Sequence, residues 1–204
     1  MEIELKYLTN DENIFTKLME DNEIHCLRGD RPIKEIPMNA LYYDCADMRL
    51  MDAGFACRIR KEGDGYVATL KWKGCDKEGL FVRQELNVPL SEDEAVPSKL
   101  MEAFKEATIY EELVKLVGSE PLVEIMAMEF LRKQVKLDSG KSISVLSYDR
   151  GFINSKGKKK TISEVELELY SGDQKDMEAI GEGIKSRFNM EIGEKSKFKQ
   201  GLDI

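Results

Sequence analysis

The sequence predicts a mixed α+β protein built mainly on antiparallel strands, and three observations carry that expectation. Period-two alternation recurs from Glu2-Ile3-Glu4-Leu5-Lys6-Tyr7 to Glu164-Val165-Glu166-Leu167-Glu168-Leu169, as in strands with two unlike faces. Short loops, Glu62-Gly63-Asp64-Gly65 and Gly74 to Gly79, separate successive strand-like runs at hairpin spacing. Stretches of helical periodicity follow the strand clusters in each half, giving about eight or nine strands and three main helices.

The elements follow in order. Glu2 to Tyr7 is a strand, and the turn chemistry of Thr9-Asn10-Asp11 leads into an amphipathic helix from Glu12 to Asn22. Residues 26 to 37, with Gly29, Pro32 and Pro37, read as loop before a short strand from Asn39 to Asp44. Three strands follow at Phe55 to Lys61, Tyr66 to Lys73 and Leu80 to Val88. Ser91 to Gly118 is helical, with Ser91 able to cap, acidic residues in the first turn, Gly118 as the stop, and Pro97 near a helix start or splitting the segment. Strands from Leu122 to Leu137, Ser142 to Asp149 and Thr161 to Tyr170 come next, the last two joined by a hairpin with the basic turn Lys156 to Lys160. An amphipathic helix spans Asp173 to Phe188.

Composition limits the function classes. With 31 Lys and Arg against 39 Asp and Glu in 204 residues, the net charge is −8, so a general nucleic-acid surface is not expected. By location, Arg58 to Arg83 holds seven basic residues against four acidic ones, and Ser91 to Gly118 three against seven. Cys26, Cys45, Cys57 and Cys75 have neither C-x-x-C nor zinc spacing, and no apolar leader or membrane-length run is seen. A reduced, cytoplasmic protein is expected. His25 is the only histidine and reads as a partly exposed loop residue, so histidine-based acid–base or metal chemistry is nearly excluded. The lysines at 156 to 160 read as a solvated hairpin, Met48, Met51, Met101, Met126 and Met128 as core filler, and Trp72 as outer packing under a helix.

Alternation also says which charges share a face. Glu2, Glu4 and Lys6 lie together, as do Arg58 with Arg60, Lys71 with Lys73, Arg83 with Glu85, Arg132 with Gln134 and Lys136, and Glu164 with Glu166 and Glu168. Like charges two residues apart on a strand lie ~7 Å from each other and repel unless something of opposite sign lies between them. A single wet sheet face is the ordinary explanation for one such strand; six strands point to a curled sheet whose inner surface binds a polyanion and a divalent metal. With only carboxylate oxygens on offer, that metal would be Mg²⁺ or Mn²⁺ rather than Zn²⁺. Lys73 and Lys136 rest on parity alone, and an exposed hairpin-end lysine explains them equally well.

The same residues carry a family resemblance. Glu2-x-Glu4-x-Lys6 resembles the E-x-E-x-K signature of the CYTH, or triphosphate tunnel metalloenzyme, superfamily. Tyr42-Tyr43-Asp44-x-x-Asp47-x-x-Leu50-x-x-x-Gly54-x-x-x-Arg58-x-Arg60, running on to Thr69-Leu70-Lys71, is similar to its second signature. Arg83-x-Glu85, Arg132, Asp149, the triple-Glu ladder and Ser196-Lys197-Phe198 follow in the family's order. Cys45-Ala46 and Ala56-Cys57 depart from the usual Thr and Leu at positions that read as structural.

The resemblance implies that residues 1–204 form a single CYTH domain, an eight-stranded antiparallel β-barrel (a triphosphate tunnel) with helices packed on the outside. It also implies roles: Glu2, Glu4 and Glu168 as metal ligands, and Glu166 orienting the attacking water with Lys6 beside it. Lys6, Arg58, Arg60, Lys71, Lys73, Arg83, Arg132 and Lys197 would grip phosphates, supported by Glu85, Asp149 and Glu164.

The expected activity is metal-dependent hydrolysis of a small triphosphate. Inorganic triphosphate is favoured, because the inward rows hold few aromatics to seat a ring. Class IV adenylate cyclase, thiamine triphosphatase and RNA 5′-triphosphatase are rival activities of the same family. A noncatalytic polyphosphate or nucleotide sensor is the rival of another class, and retention of all five glutamates weighs against it. No membrane partner is expected, and a homodimer has no specific sequence warrant.

Overall fold

A computed structural model describes residues 1–204. Its nine strands are β1 (Glu2–Leu8), β2 (Lys34–Asp44), β3 (Ala56–Glu62), β4 (Gly65–Lys77), β5 (Leu80–Leu90), β6 (Val123–Asp138), β7 (Ser142–Ser155), β8 (Lys158–Gly172) and β9 (Glu191–Ile192). They form one sheet in the order β5-β4-β3-β2-β6-β7-β8-β1-β9, with every pairing antiparallel. An extra pairing of β5 with β1, Glu2 opposite Arg83 through Leu5 opposite Leu80, joins the two ends. The first eight strands therefore close into a barrel, which leaves no free edge among them. β9 continues along β1 beyond β5, at Tyr7 and Leu8.

Closure makes one face of every strand a lumen wall and the other an outer surface. Outward residues of β1 (Ile3, Leu5, Tyr7), β6, β7 and β8 form one apolar cluster with α1 (Ile14–Glu20), α2 (Asn22–Arg28) and α6 (Gln174–Phe188). Outward residues of β2, β3 and β4 (Tyr43, Cys57, Ile59, Ala68, Leu70) form a second with α3 (Arg49–Asp52), α4 (Pro97–Ala103) and α5 (Tyr110–Val117). Gly181 lets α6 approach β1, for a Cβ there would lie 2.7 Å from the Tyr7 hydroxyl. A third cluster faces inward: Met38, Ala40, Tyr42, Met126, Met128, Phe130, Ile153 and Ile162, with Phe198 and Leu202 of α7 (Lys197–Leu202) packed on it. Gly201 permits that seat, since a side chain there would collide with Met126. No helix is long and apolar enough to cross a membrane.

Several elements differ from the sequence expectation. The first helix is two: Asp21 is extended (ψ 130) and caps α2, accepting from the Ile24 N–H at 3.0 Å. His25 and Cys26 consequently lie exposed on a helix rather than in a loop, and β2 begins at Lys34. Ser91 does not start a helix; it closes a turn with Glu94, whereas α4 begins at Pro97 because Val96, before a proline, is held extended. β4 runs on to Lys77 through a bulge between Trp72 and Cys75, so the expected six-residue loop shrinks to a turn at Glu78-Gly79. The β7–β8 turn likewise shrinks to Lys156-Gly157, with the remaining lysines on β8. β9 and α7 were not foreseen; Ser196 caps α7 by accepting from the Lys199 N–H at 3.2 Å.

Candidate active site

The lumen holds a cavity of about 470 Å³. Strand registers explain which side chains reach it. Tyr42 pairs with Arg58, Ala40 with Arg60, Arg132 with Asp149, Glu166 with Lys6, and Lys71 with Glu85, each pair sharing the inner face. Seven of the eight expected phosphate-gripping residues line it: Lys6, Arg58, Arg60, Lys71, Arg83, Arg132 and Lys197. So do Glu2, Glu4, Glu85, Glu166 and Glu168.

Lys73 stands apart. It adopts a positive φ of 47° in the β4 bulge, is exposed and does not line the cavity, because the extra bulge residue breaks the parity that would have aimed it inward. Lys136, inward by parity, is also exposed and lies over the Tyr170 ring at 4.1 Å.

Most of the charges are paired within the wall. The Lys6 ammonium meets Glu166 at 2.6 Å, Glu164 at 3.1 Å and Glu4 at 3.4 Å. Lys197 meets Glu166 at 2.5 Å, Asp149 at 2.8 Å and Glu164 at 2.9 Å. Arg132 donates two bonds to Asp149, at 2.7 and 2.6 Å, and a third to Glu166 Oε2 at 2.7 Å. Gln200 of α7 donates to Glu164. Asp149 and Glu164, buried behind this network, therefore brace the cations that line the lumen. Lys71 bridges Glu2 at 2.6 Å and Glu85 at 2.8 Å.

The ionisation states follow from these contacts. Burial works against the charges of Glu166, Glu164 and Asp149, but Lys197 with Lys6 or Arg132 outweighs it and holds all three below the ordinary carboxylate range. Burial likewise opposes the Lys6 charge, and Glu164 and Glu166 overcome it, raising the ammonium's pKa. Glu4 goes the other way: burial first, then Glu166, push it up to about 8 despite Lys6. Glu168 rises by burial and then by Glu2 and Glu85. Arg60 is lowered by burial and by the neighbouring Arg58 cation, even with Glu62 as its partner.

Two kinds of charge crowding thus remain. Glu4 and Glu168 are cross-strand register partners with Glu2 on the same inner face, and Glu2 Oε2 is buried without a hydrogen-bond partner. Arg58 and Arg60 repel, and Arg58 Nε is buried without a partner. A cation beside the first group and an anion beside the second would relieve both. The carboxylates do not converge as a finished metal-ligand cluster, being engaged with Lys71 and Lys6 instead, yet their all-oxygen donor set and mutual repulsion fit a hard divalent cation.

Sequence reasoning missed several lumen residues. Asp76 reaches the lumen because the extra residue of the bulge flips the inward parity of β4, and there it pairs with Arg83 at 2.8 Å and with Lys199 of α7 at 2.8 Å. Gly74, read from the sequence as the start of a loop, lies within β4 at the bulge. Aromatics are also more abundant than expected: Tyr42, Phe130, Phe198 and Trp72 line the cavity. Trp72 packs on the outer α3–α5 cluster, as expected, and also reaches the lumen at the bulge. Asp44, quoted for the resemblance, is structural: its carboxylate accepts from the N–H groups of Cys45, Leu50 and Met51 and caps α3.

A closed antiparallel barrel whose lumen is lined by cations and carboxylates beside one apolar wall defines the class of this fold. The chain belongs to the CYTH domain family, whose model matches residues 1–202. It is 29% identical over 160 residues to the inorganic triphosphatase of Haemophilus influenzae, covering 78% of this chain and 44% of that protein. The chain thus spans less than half the length of that relative. Solved structures share the fold: HpAC1 of Hippeastrum at 20% identity and TM-score 0.73, covering 100% of this chain and 96% of that one. PH1819 of Pyrococcus horikoshii OT3 is 19% identical with TM-score 0.63, covering 100% and 99%, and a proposed adenylate cyclase of Bacillus halodurans is 22% identical with TM-score 0.62, covering 98% and 96%.

Proposed function

We propose that the chain is a divalent-metal-dependent triphosphatase acting on a small triphosphate, with inorganic triphosphate the favoured substrate, and that residues 1–204 work as one CYTH unit in a reducing, cytoplasmic setting, in keeping with four free cysteines. The observation that carries it is the gathering of eight cations in one cavity, with Arg58 and Arg60 left in mutual repulsion. A linear triphosphate offers several anionic oxygens to such a set. The inorganic triphosphatase of H. influenzae and HpAC1, proposed as an adenylyl cyclase and described as having a dominant triphosphatase activity, support the reaction class.

In this reading Arg58, Arg60, Lys71, Arg83, Arg132, Lys197 and Lys6 bind phosphate oxygens. Glu2, Glu4 and Glu168 would hold Mg²⁺ or Mn²⁺, which when bound supplies charge neutralisation on the phosphates. Glu166 is kept ionised by Lys197, Lys6 and Arg132; its Oε2 takes only Arg132 and keeps an acceptor position for a water. That water attacks the terminal phosphorus in line, and the phosphoanhydride bond breaks to release orthophosphate and pyrophosphate. Glu164, Asp149 and Glu85 hold the lysines and Arg132 in place.

The aromatic wall gives the organic triphosphates a second claim, so the assay includes them. Purified protein is incubated with tripolyphosphate, ATP and thiamine triphosphate and either metal, following phosphate, pyrophosphate and cyclic AMP. Phosphate release abolished by EDTA is expected, and Glu168→Ala is expected to lose turnover while keeping the melting curve of the wild type. Cyclic AMP with pyrophosphate as the products would overturn the hydrolase reading; a fully active Glu168→Ala would overturn the proposed metal ligands.

A further inference from the structure

We infer that Tyr42 is a positioning residue for the triphosphate: its hydroxyl fixes the guanidinium of Arg58, and its ring is held in turn by Phe198 of the C-terminal helix. The inference rests on the triphosphate reading of the tunnel. It starts from a contrast among the eight lumen cations. Lys6, Arg60, Lys71, Arg83, Arg132, Lys197 and Lys199 each have a carboxylate within ion-pair distance, and Arg58 has none. Its partner is a phenol rather than a carboxylate: Arg58 Nη1 donates to Tyr42 Oη at 3.0 Å, and Nε is buried with no partner.

A carboxylate at that place would both orient Arg58 and neutralise it, and an incoming phosphate would have to break the ion pair. A phenol orients the guanidinium and leaves its full charge for the ligand. The backbone sets this up, since Tyr42 and Arg58 are register partners on β2 and β3 with side chains on the same inner face, and the guanidinium carbon lies 5.8 Å from the ring centre.

The ring has its own support. Tyr42 is 4% exposed and stacks on Phe198, with centroids 5.1 Å apart and planes 25° from parallel. Phe198 follows Lys197, which is tied to Glu166, Glu164 and Asp149. One turn of α7 therefore delivers a lysine to one part of the lumen and fixes, through Tyr42, the arginine of another. Apolar filling would explain the ring but not the hydroxyl, which a phenylalanine would lack at no loss of volume.

Tyr42→Phe isolates the hydroxyl, and Arg58→Lys keeps the charge while removing the planar fork. Both variants and their combination are compared by calorimetric titration with tripolyphosphate in EDTA and by steady-state kinetics with metal. Losing one hydrogen bond that orients a charged group should raise Kd and KM for tripolyphosphate about tenfold, with kcat within about twofold of the wild type. In the Arg58→Lys background the same change should alter Kd by less than about twofold, because no guanidinium remains to be oriented. An unchanged Kd in Tyr42→Phe, or the same factor in both backgrounds, overturns the inference. If Tyr42→Phe does not fold, Phe198→Leu keeps the hydroxyl and removes its stacking partner; it should weaken binding only where Arg58 is present, and wild-type affinity overturns the proposal. A wild type that neither binds nor cleaves tripolyphosphate would sink the triphosphatase reading itself, whereas an active wild type with an unaffected Tyr42→Phe sinks only the role of Tyr42.

Discussion

Lys197→Met tests whether the lumen network is as tightly balanced as its geometry indicates. The Lys197 ammonium, only 11% exposed at the side chain, lies 2.5 Å from Glu166, 2.8 Å from Asp149 and 2.9 Å from Glu164. Methionine keeps most of the volume and removes the charge, leaving those three carboxylates to Lys6 and Arg132. Removing one partner of a buried ionic network costs about 3–5 kcal/mol, since the abandoned charge stays out of water. At about 2–4 °C per kcal/mol for a chain of this size, the melting temperature should fall by roughly 10 °C. Adding Glu164→Gln restores two carboxylates against two cations, and the double variant should regain more than about 1 kcal/mol over Lys197→Met alone. The loss should also shrink towards acid, because a carboxylate freed of Lys197 protonates more easily in the folded state than before. Calorimetry and urea titration at two pH values measure all three effects. A single variant within about 1 kcal/mol of wild type, or a double variant no better than the single, would refute the reasoning.

Two other outcomes are expected. Glu4 is raised by burial from its ordinary 4.5 to about 8, so the folded state binds more protons there than the unfolded one, and stability falls as pH rises through that window. Glu85, Glu164, Glu166 and Asp149 are held low by cations and have completed their contribution above about pH 5, so they add no slope there. Without divalent metal, melting temperatures of wild type should decline from pH 5 to 8 while those of Glu4→Gln decline less; parallel curves would be contrary. Lys73→Ala should leave tripolyphosphate affinity within about twofold of wild type, whereas Arg58→Ala should weaken it by tenfold or more, as loss of a charge-assisted contact does. Titration calorimetry decides, and a large effect at Lys73 would place the β4 bulge wrongly.

The legible part of this molecule is the part governed by strand parity. Glu2, Glu4 and Lys6, Arg58 and Arg60, Arg132, and Glu166 with Glu168 all reach the lumen because an unbroken strand turns every second residue the same way. Parity fails where the ladder takes an extra residue. At Trp72–Cys75 it expels Lys73 and brings Asp76 inward, where the sequence reads as a loop from Gly74. Pairing partners across non-adjacent strands were also hidden, since the β1–β5 closure and the β2–β6 contact are not written in local periodicity. The same holds for α7: six residues near the C-terminus are too short for a periodicity signal, and their place is set by Phe198 and Leu202 meeting the inward apolar cluster. For that reason the sequence showed the charges of the tunnel but not its aromatic wall.

The pairing within the lumen bears on how a polyanion would be held. Nearly every lumen cation already has a carboxylate, so polyanion binding would be an exchange of partners with an affinity set by the difference between two sets of ion pairs. Such an exchange is favourable where the existing pair is poor, and Arg58, unpaired, and Arg60, lowered by its neighbour, are the poorest-compensated cations. The cross-strand carboxylates Glu4 and Glu168 present the opposite deficit on the same inner surface. A bare triphosphate would answer the first and aggravate the second, while a metal alone would do the reverse. On the proposed triphosphatase reading the arrangement would favour the metal–triphosphate pair over either component, which would make the order of affinities a consequence of the wall rather than of the chain's net charge of −8.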